Sequence, residues 1–356
     1  MKRLSIVVSV YNEEQGLEQF YRTTSEILEG LCRTRMQTAE PLSYELFFVN
    51  DGSTDRSGEI LAALAARDRA HVSVLTFSRN FGHEAAMTAG LDYASGEYLV
   101  FMDADLQHPP QCIADILACF DEGYDIISMV RTKNETAGFV KNFASNAFYH
   151  LVNCLSAMRF EPGASDFFAI DRRVAEVLRK NFREKVRFLR GYVQNIGFRK
   201  TNLSYEAAPR VAGKSHYSLK KLWRFSMDTI ICFSNLPLKL GIYAGLLSGL
   251  LGILLIIYTL FTRQSAPSGY ATIVIVLCFM FAVLFLLLGI IGSYLAILFN
   301  ELKDRPIYIA ADVQQAETDA ADAAPAAEAT ALKGTAAAQA GAEAKAAALT
   351  NGRRSE

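Results

Sequence analysis

The sequence predicts an α/β fold, a doubly wound and mostly parallel sheet followed by two C-terminal transmembrane helices. Three observations carry that expectation. Short apolar runs alternate with helical stretches up to about residue 125. Two long stretches later in the chain, 241–261 and 270–300, contain no charged residue. Polar clusters rich in Asp, Asn and Ser stand where the predicted strands end.

The strands are expected at 4–10, 44–49, 72–77 and 98–102, each rich in Val, Leu, Phe and Ile, with a further strand at 125–130. Helical periodicity marks 14–31, 57–67 and 84–93, and Thr54 or Asp55 is placed to cap the second of these. Strands alternating with helices imply parallel neighbours joined by helical crossovers. In such sheets ligands bind outside the carboxyl ends of the strands, which is where the polar clusters fall.

The 356 residues have room for one or two domains with a substantial core. A formal net charge of -1 argues against a nucleic-acid partner. The six cysteines (32, 112, 119, 154, 232 and 278) form no Cys-x-x-Cys pair, and no histidine lies at zinc spacing from them. Neither a disulfide framework nor a structural zinc site is expected, and free thiols suit a reducing compartment. The apolar run after Met1, Lys2 and Arg3 is too short for the core of a signal peptide and reads as the first strand.

Each uncharged stretch is long enough to cross a hydrocarbon core, which takes about 20 helical residues. Lys220, Lys221, Arg224 and Lys239 precede the first, and Lys303 and Arg305 follow the second. The connecting loop holds a single basic residue, Arg263. The positive-inside rule then places both flanks, both termini and the large N-terminal part in the cytosol. Segment 216–236 mixes basic residues with Trp223 and Phe225 and suits a helix lying at the membrane interface, although a helix packed on the N-terminal domain has the same pattern. Gly241, Gly245 and Gly249 are spaced for close helix packing, either within the chain or in a homo-oligomer. Beyond Ala310 the chain is Ala-rich with almost nothing large to bury, and is expected to be a disordered cytosolic tail. The divisions are therefore 1–215, a cytosolic domain; 216–240, juxtamembrane; 241–300, two spans; and 301–356, the tail.

Three clusters carry the chemistry: Ser9-Val10-Tyr11-Asn12-Glu13-Glu14, Asn50-Asp51-Gly52-Ser53-Thr54-Asp55 and Asp103-Ala104-Asp105-Leu106-Gln107. In an extended segment residues i and i+2 face the same way, so Asp103 and Asp105 can converge on one point. Two hard carboxylates suit Mg²⁺ or Mn²⁺, which would also take diphosphate oxygens. An isolated Asp-x-Asp is common on ordinary surfaces; its position after a buried strand, with Asp51 at another strand end, is what makes it informative.

The stretches SIVVSVYNEE, FFVNDGSTDRS, SRNFGHEAAMTAGLDYASGEYLVFMDADLQHPP, VRFLRGYVQNIGFRKTNLSYE and GKSHYSLKKL, followed by paired spans, resemble the family 2 glycosyltransferases of the polyprenyl-phosphate type. The resemblance runs from Leu4 to about residue 300 and implies a GT-A-like domain. Such an enzyme moves one sugar from a nucleotide-sugar, UDP-glucose being the first choice, to a polyprenyl phosphate. It implies Ser9, Tyr11 and Glu13 in the nucleotide pocket, Asp51 reading the base, and Asp103 beside ribose and metal. Asp105 and Gln107 would hold the metal, and Asp166 would stand near the reacting centre. For the acceptor phosphate the candidates are Arg131, Lys141, Arg187, Arg190, Arg210 and Lys214. Gly213, Ser215 and Tyr217 match a mobile-loop motif, expected to close over a substrate.

Three positions depart from the family pattern. Asn50 stands where a second aspartate is common, Phe168 where a cation often follows the Asp-Phe pair, and His108, read as an exposed loop residue, where an acid is common. Two rival readings fit less well. A processive polysaccharide synthase would carry Gln-x-x-Arg-Trp, which the sole tryptophan in Lys-Leu-Trp-Arg does not fit. A catalytically silent nucleotide-sugar-binding scaffold has no use for Asp51, Asp103, Asp105 and Asp166 together. Other donors, UDP-N-acetylglucosamine and GDP-mannose among them, stay open.

Overall fold

The computed structural model describes residues 2–36, 41–132, 164–185, 187–207 and 269–316, with separate positions between 241 and 261. Strands β1 (Lys2–Val10), β2 (Leu42–Asn50), β3 (Val72–Phe77) and β4 (Tyr98–Asp103) are linked by helices α1 (Leu17–Arg35), α2 (Ser57–Arg67) and α3 (His83–Tyr93). There follow α4 (Ile113–Asp121), β5 (Ile126–Arg131), β6 (Ala164–Asp171), α5 (Arg172–Asn181), α6 (Leu189–Asn195) and β7 (Lys200–Tyr205). Helix α7 (Tyr270–Leu302) and strand β8 (Ala310–Gln314) complete the described elements.

All eight strands form one sheet in the order β7-β5-β6-β4-β1-β2-β3-β8. Pairs β4–β1, β1–β2, β2–β3 and β5–β7 are parallel, while β6 runs antiparallel to both β4 and β5 and β8 antiparallel to β3. The mostly parallel, GT-A-like sheet expected from the sequence is therefore observed. Its two faces bury separate sets of side chains because successive residues of a strand point to opposite faces. Leu4, Ile6, Val8 and Phe48 pack under α1, α2 and α4, whereas Val7, Leu99, Phe101 and Phe168 pack under α3, α5 and α6.

Helix α3 lies unusually near the sheet. A Cβ on Gly90 would stand 2.1 Å from Cγ1 of Val7 on β1. Gly90→Ala is expected to lever α3 off the strand and to destabilise the domain by about 1–3 kcal/mol, read as a lower thermal midpoint. An unchanged midpoint would contradict this packing.

Helix α2 keeps its expected bounds, while the start of α1 differs for a local reason. Helix α1 begins at Leu17 rather than 14, because residues 12–14 are tied to the turn before α2. The Glu13 N–H donates to Ser57 Oγ (2.9 Å), the Glu14 N–H to Asp55 Oδ2 (3.1 Å) and the Thr54 N–H to Asn12 Oδ1 (2.8 Å). Asp55, not Thr54, supplies the acceptor at the start of α2, taking the Ser57 N–H at 3.0 Å.

The expected tail is ordered at its beginning. Residues Ala310–Gln314 pair with β3, Val313 opposite Leu75, and so extend the sheet. The chain reaches this place along a set of polar contacts. Glu301 Oε1 accepts the Lys185 N–H at 2.7 Å, and Lys185 Nζ meets Asp304 (3.4 Å) and the Arg305 carbonyl. Tyr308 then stacks on Phe77 (5.2 Å between ring centroids) and donates to Asp92 (2.8 Å). Residues beyond 316 lie outside the described set.

Helix α7 holds 33 residues and, at 1.5 Å each, is about 50 Å long. Within it Phe279–Leu302 has a mean hydropathy of 2.6, and among the described residues it is the one helix apolar and long enough to cross a membrane. Its apolar side chains face outward, Phe285 at 66% and Leu286 at 63% exposure. The positions described between 241 and 261 are helical, and Gly241 lies against Leu287 of α7. About half of the first expected span, and all of the 216–236 segment, fall outside the described residues.

Candidate active site

Strand register alone assembles the centre of the site. Ser9 on β1 lies beside Asp103, the last residue of β4. Phe101 faces Phe168 across the antiparallel β4–β6 pair. Continuing that register by two residues brings Asp166 level with Asp103 on the same face of the sheet. Three strands thus present Ser9, Asp103 and Asp166 side by side at the carboxyl edge of the parallel core.

His83, the first residue of α3, stands over this row. Its Nδ1 lies 2.8 Å from Ser9 Oγ, which also donates to Asp103 Oδ1 at 3.4 Å. Its Nε2 is enclosed, without a hydrogen bond, 3.7 Å from Asp166 Oδ2. Burial works against charge on this ring, yet the carboxylates of Asp103, Asp166 and Glu84 outweigh it and raise the His83 pKa. Asp166 is likewise opposed by burial, but Arg190, His83 and His108 hold its carboxyl below the usual range, so it is an anion at neutral pH. Arg190 Nη1 is 3.2 Å from Asp166 Oδ1.

Glu84 fixes the geometry of that pair. Its Oε2 accepts the Leu189 N–H at 2.8 Å, which pins the residue preceding Arg190. Burial, and then the charge of Asp166, push the Glu84 pKa up from 4.5 to about 7. The folded chain therefore holds this proton more tightly than the unfolded chain. The contribution of Glu84 to stability falls as pH rises from about 4.5 to about 7, and the loss is complete above that window. Glu84→Gln keeps an acceptor for Leu189 without the charge. It is expected to gain about 1–2 kcal/mol over the wild type between pH 5 and pH 8. Thermal melts at the two pH values test this, and an equal difference at both would contradict it.

Asp105 follows the strand end, with its Oδ1 taking the Gln107 N–H at 3.0 Å across a turn in which Leu106 has φ 58°. The Gln107 backbone thus orients Asp105. Among the described residues no three His, Cys, Asp or Glu side chains are arranged to hold a metal by themselves. The donor set that is present, two carboxylates at one strand end, fits a hard divalent cation that completes its shell with substrate phosphate oxygens.

His108 is not the exposed loop residue expected from the sequence. It is 6% exposed, stacked on Phe167 (5.0 Å) and edge-on to Tyr205 (6.0 Å). Its Nδ1 accepts the Asp103 N–H at 3.0 Å, so Nε2 carries the proton and points toward Asp103 Oδ2 at 3.8 Å. Phe168 stands where a cation is common in the family pattern. It is buried at 1% exposure and stacked on Phe101 at 4.6 Å, so it faces the core rather than an acceptor.

Asp51 is turned inward. At 3% exposure, its two carboxylate oxygens take the Asn80 amide (2.9 Å), the Phe81 N–H (2.6 Å) and the Gly82 N–H (2.9 and 3.2 Å). In this conformation its lone pairs hold the loop that delivers His83, and none is offered to a base. Burial raises its pKa despite the backbone N–H groups that favour the anion. Gly52 is required beside it: φ is 62° and a Cβ would stand 2.3 Å from the Arg79 carbonyl carbon. The other nucleotide-pocket candidates lie at the rim, with Tyr11 47% exposed and the Glu13 backbone tied to Ser57.

Of the candidate acceptor cations, Arg190 reaches the centre. Arg131 ends β5 on the same edge, exposed and beside Tyr205 of β7. Arg187 is buried at 6% exposure, where burial lowers its pKa and Asp92 and Glu184 are among the charges that act on it. Lys141, Arg210 and Lys214, with the loop of Gly213, Ser215 and Tyr217, lie outside the described residues. His83 and Glu84 are site residues that sequence reasoning does not single out, although they stand inside one of the family-like stretches; only contacts across 74 and 105 residues reveal them.

Residues 5–178 match the family model described as Glycosyl transferase family 2. The chain is 40% identical to the uncharacterized glycosyltransferase YkcC of Bacillus subtilis over 308 residues, 86% of this chain and 92% of that protein. It is 34% identical to the SfII prophage-derived bactoprenol glucosyl transferase of Shigella flexneri over 311 residues, 86% of this chain and 97% of that one. To the prophage bactoprenol glucosyl transferase homolog of Escherichia coli it is 32% identical, over 86% of this chain and 98% of that protein. With a strand-end carboxylate site of this kind and matches spanning most of its length, the chain belongs to the family 2 glycosyltransferases.

Proposed function

We propose that this glycosyltransferase moves a single sugar from a nucleotide-sugar, UDP-glucose first, to a polyprenyl phosphate at the cytosolic face of a membrane, with inversion at the anomeric carbon. The observation that carries the reading is the pairing of Asp103 and Asp166 at one strand edge, with His83 between them, Arg190 against Asp166 and Asp105 two residues beyond Asp103. Names of relatives that include bactoprenol glucosyl transferases support the choice of acceptor.

In the proposed step an oxygen of the lipid phosphate attacks the anomeric carbon. The bond from that carbon to the diphosphate breaks, and the nucleoside diphosphate departs with the electron pair. The attacking oxygen is already anionic near neutral pH, so no strong general base is needed. Asp166, kept ionised, is placed to stabilise positive character at the sugar carbon, while Arg190 and Arg131 attract the acceptor phosphate. A bound Mg²⁺ or Mn²⁺, held by Asp103 and Asp105, would neutralise charge developing on the departing diphosphate. Tyr11 and Glu13 at the rim, and Ser9 in the central row, are the residues proposed to line the nucleoside pocket. Asp51, through its carboxylate, holds the loop that delivers His83.

The membrane part of the reading rests on α7 and on the uncharged stretch 241–261, which we propose as a second span that leaves both termini in the cytosol. The contacts from Glu301 to Tyr308, followed by β8, would keep the reaction edge at a fixed height above the bilayer. Deleting residues 306–316 is expected to leave membrane extraction behaviour unchanged and to lower transfer to a lipid acceptor at least tenfold, since fixed geometry contributes strongly to rate. Retained transfer would contradict a positioning role for the strap. The proposed function as a whole is tested by incubating full-length protein in detergent with undecaprenyl phosphate, Mg²⁺ and labelled UDP- and GDP-sugars. One donor should carry label into the organic phase; label from none of them would overturn the reading.

A further inference from the structure

The segment between α5 and α6 is held at both ends, and the two holds belong to different parts of the molecule. Glu301, the first charged residue after the uncharged stretch 270–300, reaches back 116 residues, where its Oε1 accepts the Lys185 N–H at 2.7 Å. The chain leaving α7 adds to this hold. Lys185 Nζ lies 3.4 Å from Asp304 and donates to the Arg305 carbonyl. Arg183 Nη1 donates to both oxygens of Asp92, at 2.7 and 3.0 Å, and the Tyr308 hydroxyl reaches the same carboxylate at 2.8 Å. At the other end Glu84 takes the Leu189 N–H at 2.8 Å, and Arg190 Nη1 stands 3.2 Å from Asp166 Oδ1.

Helix α3 spans the distance between the two holds. Glu84 stands in its first turn and Asp92 in its last, about 12 Å apart along the axis. From Lys185 to Leu189 the chain can stretch at most about 14 Å, so it has little slack in which to absorb a shift at residue 185. Arg190 lies in the first turn of α6, a helix of 7 residues, too short to hold its own place. Leu189, Tyr192 and Val193 bury one face of α6 and so fix its depth in the domain. Its placement along the sheet is left to the chain that enters it.

We infer that Glu301 is a positioning residue for the lipid acceptor: from the polar end of α7 it sets the chain entering α6, and through that chain the place of Arg190 beside Asp166. This role rests on the proposed reaction, in which Arg190 attracts the acceptor phosphate. A lipid phosphate at the bilayer surface then meets a cation whose position is referred to a helix in the same bilayer. The residues proposed for the nucleoside stand on other elements, at the ends of β1 and β2, so donor affinity is not set by this link.

The test compares full-length wild type, Glu301→Ala, Glu301→Gln, Arg190→Gln and the double variant Glu301→Ala/Arg190→Gln in detergent, with undecaprenyl phosphate and the donor that wild type transfers. Glu301→Ala is expected to raise the KM for undecaprenyl phosphate about tenfold and to move the KM for the donor by less than about twofold. Glu301→Gln, which keeps an oxygen for the Lys185 N–H, should recover most of the acceptor affinity. Because both changes act at Arg190, the double variant should have no higher an acceptor KM than Arg190→Gln alone. Amide exchange at Lys185 and Leu189, which is read without turnover, should quicken at least about tenfold in Glu301→Ala. An unchanged acceptor KM, a donor KM raised as far, losses that multiply in the double variant, or unchanged exchange would each overturn the inference. Quicker exchange at Leu189 in Glu301→Ala, when wild type transfers sugar to no lipid phosphate, would instead overturn the proposed reaction and leave the hold of Glu301 on the Arg190 segment standing.

Discussion

Asp105→Ala is expected to lower kcat by about 10³-fold or more and to remove the response of the remaining rate to added Mg²⁺ or Mn²⁺. Asp103 and Asp105 are two carboxylates at one strand end, and among the described residues no third His, Cys, Asp or Glu completes a metal cage. A cation held this way depends on both carboxylates and on the donor's diphosphate. Removing one should therefore cost metal affinity and leaving-group assistance together. Asp105 lies outside the sheet and contributes little to the core, so the variant should melt near the wild-type midpoint. A variant retaining more than a tenth of the wild-type rate with the same metal response would remove Asp105 from the mechanism.

Asp166→Asn should have the second largest effect, a fall in kcat of about 10²–10³-fold with donor affinity nearly unchanged. The amide has the shape of the acid but not the charge that Arg190, His83 and His108 keep in place. If that charge stabilises the sugar carbon as its bond to the diphosphate breaks, the loss appears in kcat. Were Asp166 needed only to hold Arg190, Arg190→Gln would reproduce the whole defect and the double variant would be no worse. Arg190→Gln is instead expected to act chiefly on the KM for the lipid acceptor. Equal losses in kcat from both single variants would assign Asp166 a structural part only.

Much of this architecture was legible in the residues. Strands β1 to β5 and helices α1 to α3 follow from apolar runs and periodicity, and Asp103 and Asp105 from their place at a strand end, whereas α4 was not expected. What escaped the sequence is what distant segments decide. The residues Ala310–Gln314 have no marked strand preference, and they become a strand because the edge of β3 is there to receive them. His108 sits in a polar stretch, yet Phe167 and Tyr205 of later strands close over it. Phe168 and Asp166 share a face of β6, but two residues of rise carry the ring into the core and leave the carboxylate at the edge. Asp51 offers the same lesson: it stands at a strand end as expected, but its partners, on the Asn80–Gly82 loop, were beyond local patterning.

The measurement closest to the central claim is the mass of the lipid product made by purified full-length protein from undecaprenyl phosphate and UDP-glucose, with Mg²⁺, with EDTA, and with Asp105→Ala. The expected product is a lipid phosphate carrying one hexose, formed only by wild type with metal and restored when Mg²⁺ is returned after EDTA. A lipid carrying a chain of sugars, or the same product in EDTA and from Asp105→Ala, would contradict the proposed transfer.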